Sequence, residues 1–103
     1  MPEVERWDEE DDGPVTERRL LEALEERGYS VSRHVYPPGT RFPPHTHDVD
    51  KIDAVVSGRF RVALEGEDVV LGPGDAVEVP RGVEHTAEVV GDEPVVSLDG
   101  ARR

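Results

Sequence analysis

The chain has no cysteine, which excludes disulfides, thiolate metal ligands and a cysteine nucleophile. Lysine is almost absent as well: Lys51 stands alone among the basic residues. Positive charge as a whole is scarce, with 12 Lys and Arg against 24 Asp and Glu and a formal net charge of −12. Nucleic acid is therefore excluded as an expected partner, because binding it depends on neutralising phosphates with basic side chains. No apolar run reaches the 18 or so residues that a membrane-spanning helix requires. The N-terminus reads Met-Pro-Glu-Val-Glu rather than basic then apolar, so no secretory signal is expected and a cytoplasmic location is the default.

What is present fits one small domain. At 103 residues, 35% apolar and 35% charged, the chain has room for a modest core inside a strongly hydrated surface. Charge is unevenly spread. Residues 1–12 carry seven acids (Glu3, Glu5, Asp8, Glu9, Glu10, Asp11, Asp12) against Arg6, so 1–14 reads as a flexible acidic arm. Trp7 is its one large apolar group, and a packed arm would have to anchor through it. The domain proper is expected over 15–103. It opens with a helix at 16–27, with Thr16 as N-cap, Val15 and Leu20 as a hydrophobic staple, Leu20, Leu21 and Leu24 as the apolar stripe, and Gly28 at the C-terminal cap. From Tyr29 to about Ala101 the pattern turns to short strands punctuated by Gly and Pro, at Pro37-Pro38-Gly39, Gly58, Gly72-Pro73-Gly74 and Pro80-Arg81-Gly82. That periodicity reaches all-β, sandwich or barrel, and no further.

Two stretches carry more. The first runs from Gly39 through five residues to His45-Thr46-His47, then three residues to Lys51 and six to Gly58. The second runs from Gly74 through five residues to Pro80-Arg81-Gly82, then two residues to His85. In order and spacing they resemble the two signature motifs of the cupin superfamily, over about two-thirds of the chain. The resemblance implies a cupin (double-stranded β-helix, jelly-roll) barrel and a homodimer formed by exchanging edge strands. It also implies a metal site of His-His-Glu-His type, here with His45, His47 and His85 present and Lys51 in the place of the glutamate. Val89 also departs from the pattern, at a position usually Asn that is not a ligand.

Strand alternation puts His45 and His47 on one face, with Lys51, Asp53 and Val55 on the same face unless a bulge intervenes. A bulge would swing Asp50 inward instead. Three imidazoles suit a divalent transition ion (Zn, Fe, Ni, Mn or Cu) and leave positions open for water or substrate. His34 lies outside both motifs and reads as a packed or surface residue. Arg59 and Arg61 read as a solvated face, Tyr36 and Phe42 as packing, and Val55, Val77 and Val83 as partial pocket lining.

Lys51 has the wrong charge for its place. An ammonium about 4–5 Å from a divalent ion, at an effective dielectric of about 20, is repelled by about 7 kcal/mol. Three arrangements relieve it. Burial can make the lysine neutral, a carboxylate such as Asp53 or Asp50 can pair with it, or the metal can be absent. The abundance of carboxylates favours pairing. Two functional readings stay open. One is a metal-binding cupin acting on a small molecule, as a dioxygenase or an isomerase. The other is a metal-free cupin that binds or senses a small anion through Lys51, the candidate catalytic or ligand-binding residue. A metal-free epimerase using His and Lys as acid and base is a third, weaker reading, since its usual His-Asp pair and tyrosine are not evident in the sequence.

Overall fold

A computed structural model describes residues 2–102. Two antiparallel sheets face each other. The strands are β1 (Val4–Glu5), β2 (Ser30–Tyr36), β3 (Arg41–His45), β4 (Asp50–Ser57), β5 (Phe60–Leu64), β6 (Glu67–Leu71), β7 (Ala76–Val79), β8 (His85–Val89) and β9 (Val95–Arg102). The five-stranded sheet is ordered β1-β7-β4-β9-β2 and the four-stranded sheet β3-β8-β5-β6. This is the jelly-roll expected from the sequence.

Alternation along β4 sorts its residues into two cores. Ile52 and Ala54 point outward, where α2 (Glu17–Glu26) covers them with Leu20 and Leu24, joined by Tyr29, Ala76 and Leu98. Lys51, Asp53 and Val55 point between the sheets, where Val55 meets Phe60, Val62, Leu71, Val77 and Val95. The helix forms as its sequence indicates: Thr16 Oγ1 accepts from the Arg19 amide at 3.1 Å, and Gly28 takes φ +89° just beyond the end. Arg27 is the C-cap residue of this helix. Its guanidinium reaches Glu5 at 2.6 and 3.1 Å and Glu78 at 2.7 Å.

The acidic arm departs from the flexible tail expected of it. Val4 pairs with Val77 and Glu5 with Ala76, so β1 covers the edge of β7 that would otherwise lie open. Arg27 holds Glu5, Arg6 pairs with Asp75, and Trp7 Nε1 donates to Gly13 O at 2.8 Å. A short helix α1 (Glu9–Asp12) lies between, capped by Asp8. The arm is held by partners outside it, Arg27 on Glu5 and Asp75 on Arg6, which composition of the arm alone does not reveal. One further difference concerns β3. The run Arg-Phe-Pro-Pro-His pairs with β8 despite its two prolines, because it lies at a sheet edge where missing amide donors cost nothing. The register shifts between Phe42 and His45 to accommodate them.

Gly58 closes the tight connection between β4 and β5 at φ +83°, and a Cβ there would lie 2.3 Å from Pro94 O and 3.0 Å from Val95 Cα. Gly39 has a similar φ of +87° with nothing within 4 Å. Gly39→Ala should therefore cost about 1–2 kcal/mol, the left-handed backbone penalty alone. Gly58→Ala should cost at least about 3 kcal/mol, because backbone must also move. Urea unfolding of the two variants checks this difference.

Candidate metal centre

The three motif histidines converge from two places. His45 ends β3, His85 begins β8 and is paired directly with it, and His47 lies just past the end of β3. Residues 46–49 then carry the chain from the four-stranded sheet to β4 in the other one. The two histidines therefore do not share one continuous strand with Lys51, although Lys51 still points inward. Gly82 N donates to His47 O at 2.9 Å, which ties the two motifs together. Asp50 faces away from the centre: its Oδ1 accepts from the Arg81 amide at 2.9 Å.

Ligand atoms of His45, His47 and His85 all lie within 4.8 Å of one another. Ring centroids are 4.1 Å apart for His45 and His85, 4.9 Å for His45 and His47, and 5.1 Å for His47 and His85. A divalent ion at about 2.1 Å from each nitrogen would draw these atoms somewhat closer. Two rings are already oriented. His45 Nδ1 lies 2.7 Å from Pro43 O and His85 Nδ1 lies 3.0 Å from Val83 O. A carbonyl only accepts, so both Nδ1 atoms carry the proton and the Nε2 lone pairs face inward, as ligating histidines require. Burial lowers the pKa of His47, with Lys51, His85 and His45 adding to it and Asp99 opposing. His85 is lowered too, first by burial, against its hydrogen bond to Val83. Neutral imidazole is the form that binds metal, so the donor set fits a divalent ion.

Lys51 is held by Asp99, on the neighbouring strand β9. The ammonium is therefore satisfied within the fold, and Lys51 is absent from the cavity lining. Lys51 thus pairs with a carboxylate, and the carboxylate is Asp99 rather than Asp53 or Asp50.

A cavity of about 190 Å³ opens beside the histidines, lined by Tyr36, Phe42, Phe60 and Ala87 and, at its polar side, by Asp53 and Asp99. The valines expected there belong elsewhere: Val55 and Val77 are in the packed core, and Val83 is packed against it. Several lining residues were missed or misread from sequence. Tyr36 stacks on Phe60 and Phe42 meets both edge-on, a continuous aromatic wall with centroids 5.0 to 6.3 Å apart. Asp99 carried a signal, the lone acid of the final strand, just after Val95-Val96-Ser97-Leu98. Asp53 carried one too, sharing the parity of Lys51.

Asp53 stands directly opposite Asp99 in the β4–β9 ladder. It keeps some accessible surface, but that surface is the cavity's own, and the carboxyl lies deep between the sheets. Burial pushes it up to about 7, with Asp99 adding and Lys51 opposing. The Tyr36 hydroxyl is pushed up to about 12 by burial and by the same two carboxylates.

Residues 32–99 match the family model for the cupin domain, Cupin_2. Among curated proteins, the chain is 38% identical over 81 residues to the bifunctional lysine-specific demethylase and histidyl-hydroxylase NO66 of Branchiostoma floridae, covering 72% of this chain and 13% of that one. It is 36% identical over 59 residues to the acireductone dioxygenase of Bacillus licheniformis, covering 52% and 33%. The chain thus spans a third or less of the length of these relatives. Among solved structures, the DMSP lyase DddQ of Ruegeria pomeroyi superposes with a TM-score of 0.66 at 29% identity, covering 73% of this chain and 38% of that one. KdgF of Halomonas sp. superposes with a TM-score of 0.59 at 28% identity, covering 77% and 91%.

The raised Asp53 pKa has a testable sign. A carboxyl whose folded pKa exceeds its unfolded value of 3.8 stabilises the fold fully below that value. The contribution is lost as pH rises through about 7. In chelator-stripped protein, Asp53→Asn should gain about 1–3 kcal/mol relative to the parent between pH 5 and pH 8. Parallel pH profiles of urea unfolding for the two proteins would contradict the assignment.

Proposed function

The chain belongs to the cupin family, and from that membership and the geometry of its centre we propose a metal-dependent enzyme acting on a small molecule. The reaction class is dioxygenase-like oxidoreduction. The observation that carries this reading is the convergence of three histidines, two of them locked by backbone carbonyls with Nε2 inward, on a cavity of about 190 Å³. His45, His47 and His85 would hold the ion. A bound divalent metal supplies Lewis acidity or, if iron, oxygen activation, with coordination positions left for substrate.

The rest falls to the chain's own side chains. The aromatic wall of Tyr36, Phe42 and Phe60 excludes water and packs the apolar part of a ligand. Asp53 and Asp99 offer polar contacts on the other side. The likeness to a hydroxylase and a dioxygenase among curated proteins supports the oxidoreductase class. The free edge of β2, with Val35 exposed at 52%, supports pairing of two copies as a homodimer.

Untagged protein purified without chelator or nickel resin should retain close to one metal ion per chain by mass spectrometry. His45→Ala and His85→Ala should each lower this to below about a tenth, given the loss of one of three ligands. Metal should be released as pH falls and the imidazoles protonate, and the lowered pKa values of His47 and His85 place that release below the usual histidine range. Iron as the retained metal fits the oxidoreductase reading; zinc alone contradicts it and leaves an isomerase.

A further inference from the structure

Lys51 is the sole lysine of the chain and stands inward on β4, where a cation works against a metal. Asp99 answers it from β9. The two side chains are largely enclosed, at 17% and 24% exposure, and form an ion pair. Asp99 Oδ1 is buried and receives no regular hydrogen bond among the described residues, so the Lys51 ammonium is what compensates it. Asp99 lines the same cavity as the three histidines.

Resting on the metal reading above, we propose that Asp99 is a positioning residue for the three-histidine centre. It pins the Lys51 ammonium and cancels its field, so that a chain with lysine at this place can still hold a divalent cation. The negative charge that the motif normally carries on β4 is here supplied from β9, one strand away, and acts through space rather than by ligation. Removing Asp99 leaves an ammonium unpaired in a low-dielectric interior, next to the cavity that Asp99 and the three histidines line. Removing both charges together restores a neutral surrounding. Removing Lys51 alone leaves an unpaired carboxylate that attracts the ion.

The experiment is a double-mutant cycle on the full chain, stripped of metal and titrated with Co(II), read by calorimetry and by the visible absorption of the bound ion. Asp99→Asn should bind Co(II) about 30-fold or more weakly than the parent, and Lys51→Met about 10-fold more tightly. The double variant Lys51→Met/Asp99→Asn should return to within about threefold of the parent. The absorption bands should be unchanged throughout, since the three imidazole ligands persist. Equal affinity in all four proteins, or a double variant as weak as Asp99→Asn, overturns the inference while leaving the metal reading intact. Altered bands in Asp99→Asn would make Asp99 a ligand and overturn the positioning role. Should Asp99→Asn fail to fold, Lys51→Met still decides: unchanged or weaker binding overturns the inference. Absence of Co(II) binding by the parent and every variant overturns the metal reading itself, and the inference with it.

Discussion

The ion pair between Lys51 and Asp99 sits across the β4–β9 ladder, inside the barrel. It is the contact on which the chemistry of the interior depends. Burying two charges costs several kcal/mol per ion, and their attraction repays this only where geometry is good. Such a pair adds little net stability, but losing either partner leaves a bare charge in the core. It therefore constrains register. A slip of one residue along β4 would send Lys51 and Asp53 into the helix-facing layer and bring Ile52 and Ala54 inward. The outer layer of Leu20, Leu24, Ile52, Ala54 and Leu98 opposes the same slip from the other side. Two cores, one apolar and one partly charged, thus agree on a single alignment of the central strands.

Around that pair, the polar interior is graded. The histidines take their orientation from local backbone, through the carbonyls of Pro43 and Val83, each two residues before the ring it holds. Such short-range bonds survive changes elsewhere in the barrel and set the tautomer before any ligand arrives. Asp53, by contrast, is governed by its surroundings: burial and the facing Asp99 push its pKa up to about 7, against the pull of Lys51. An ion-paired carboxylate, Asp99, and a carboxyl of raised pKa, Asp53, thus lie within one small cavity, faced by an aromatic wall.

Much of this was legible in the sequence. The three histidines are brought together as the motif spacing indicates, and the helix starts at the capping threonine. The pairing of Lys51 with a carboxylate followed from charge alone, but its partner did not. Asp50 and Asp53 are the near neighbours in sequence, whereas Asp99 is near only through the sheet. Strand β3 was hidden by Pro43 and Pro44, whose cost vanishes at a sheet edge. The arm was misread because its restraints, Arg27 and Asp75, lie outside it. The aromatic wall was misread because Tyr36, Phe42 and Phe60 come from three strands and meet only on folding. Local patterns and short motifs fixed what depends on neighbours in the chain. Contacts made across the sheets needed the fold.

The central claim is that a divalent ion and the Lys51–Asp99 pair coexist in one centre. A crystal structure of the protein loaded with Co(II), with anomalous diffraction collected at the metal edge, tests it most directly. A single anomalous peak is expected, bound by Nε2 of His45, His47 and His85, with the Lys51 ammonium still on Asp99. A centre without a peak, or a metal ligated by Asp99 with Lys51 displaced, would contradict it.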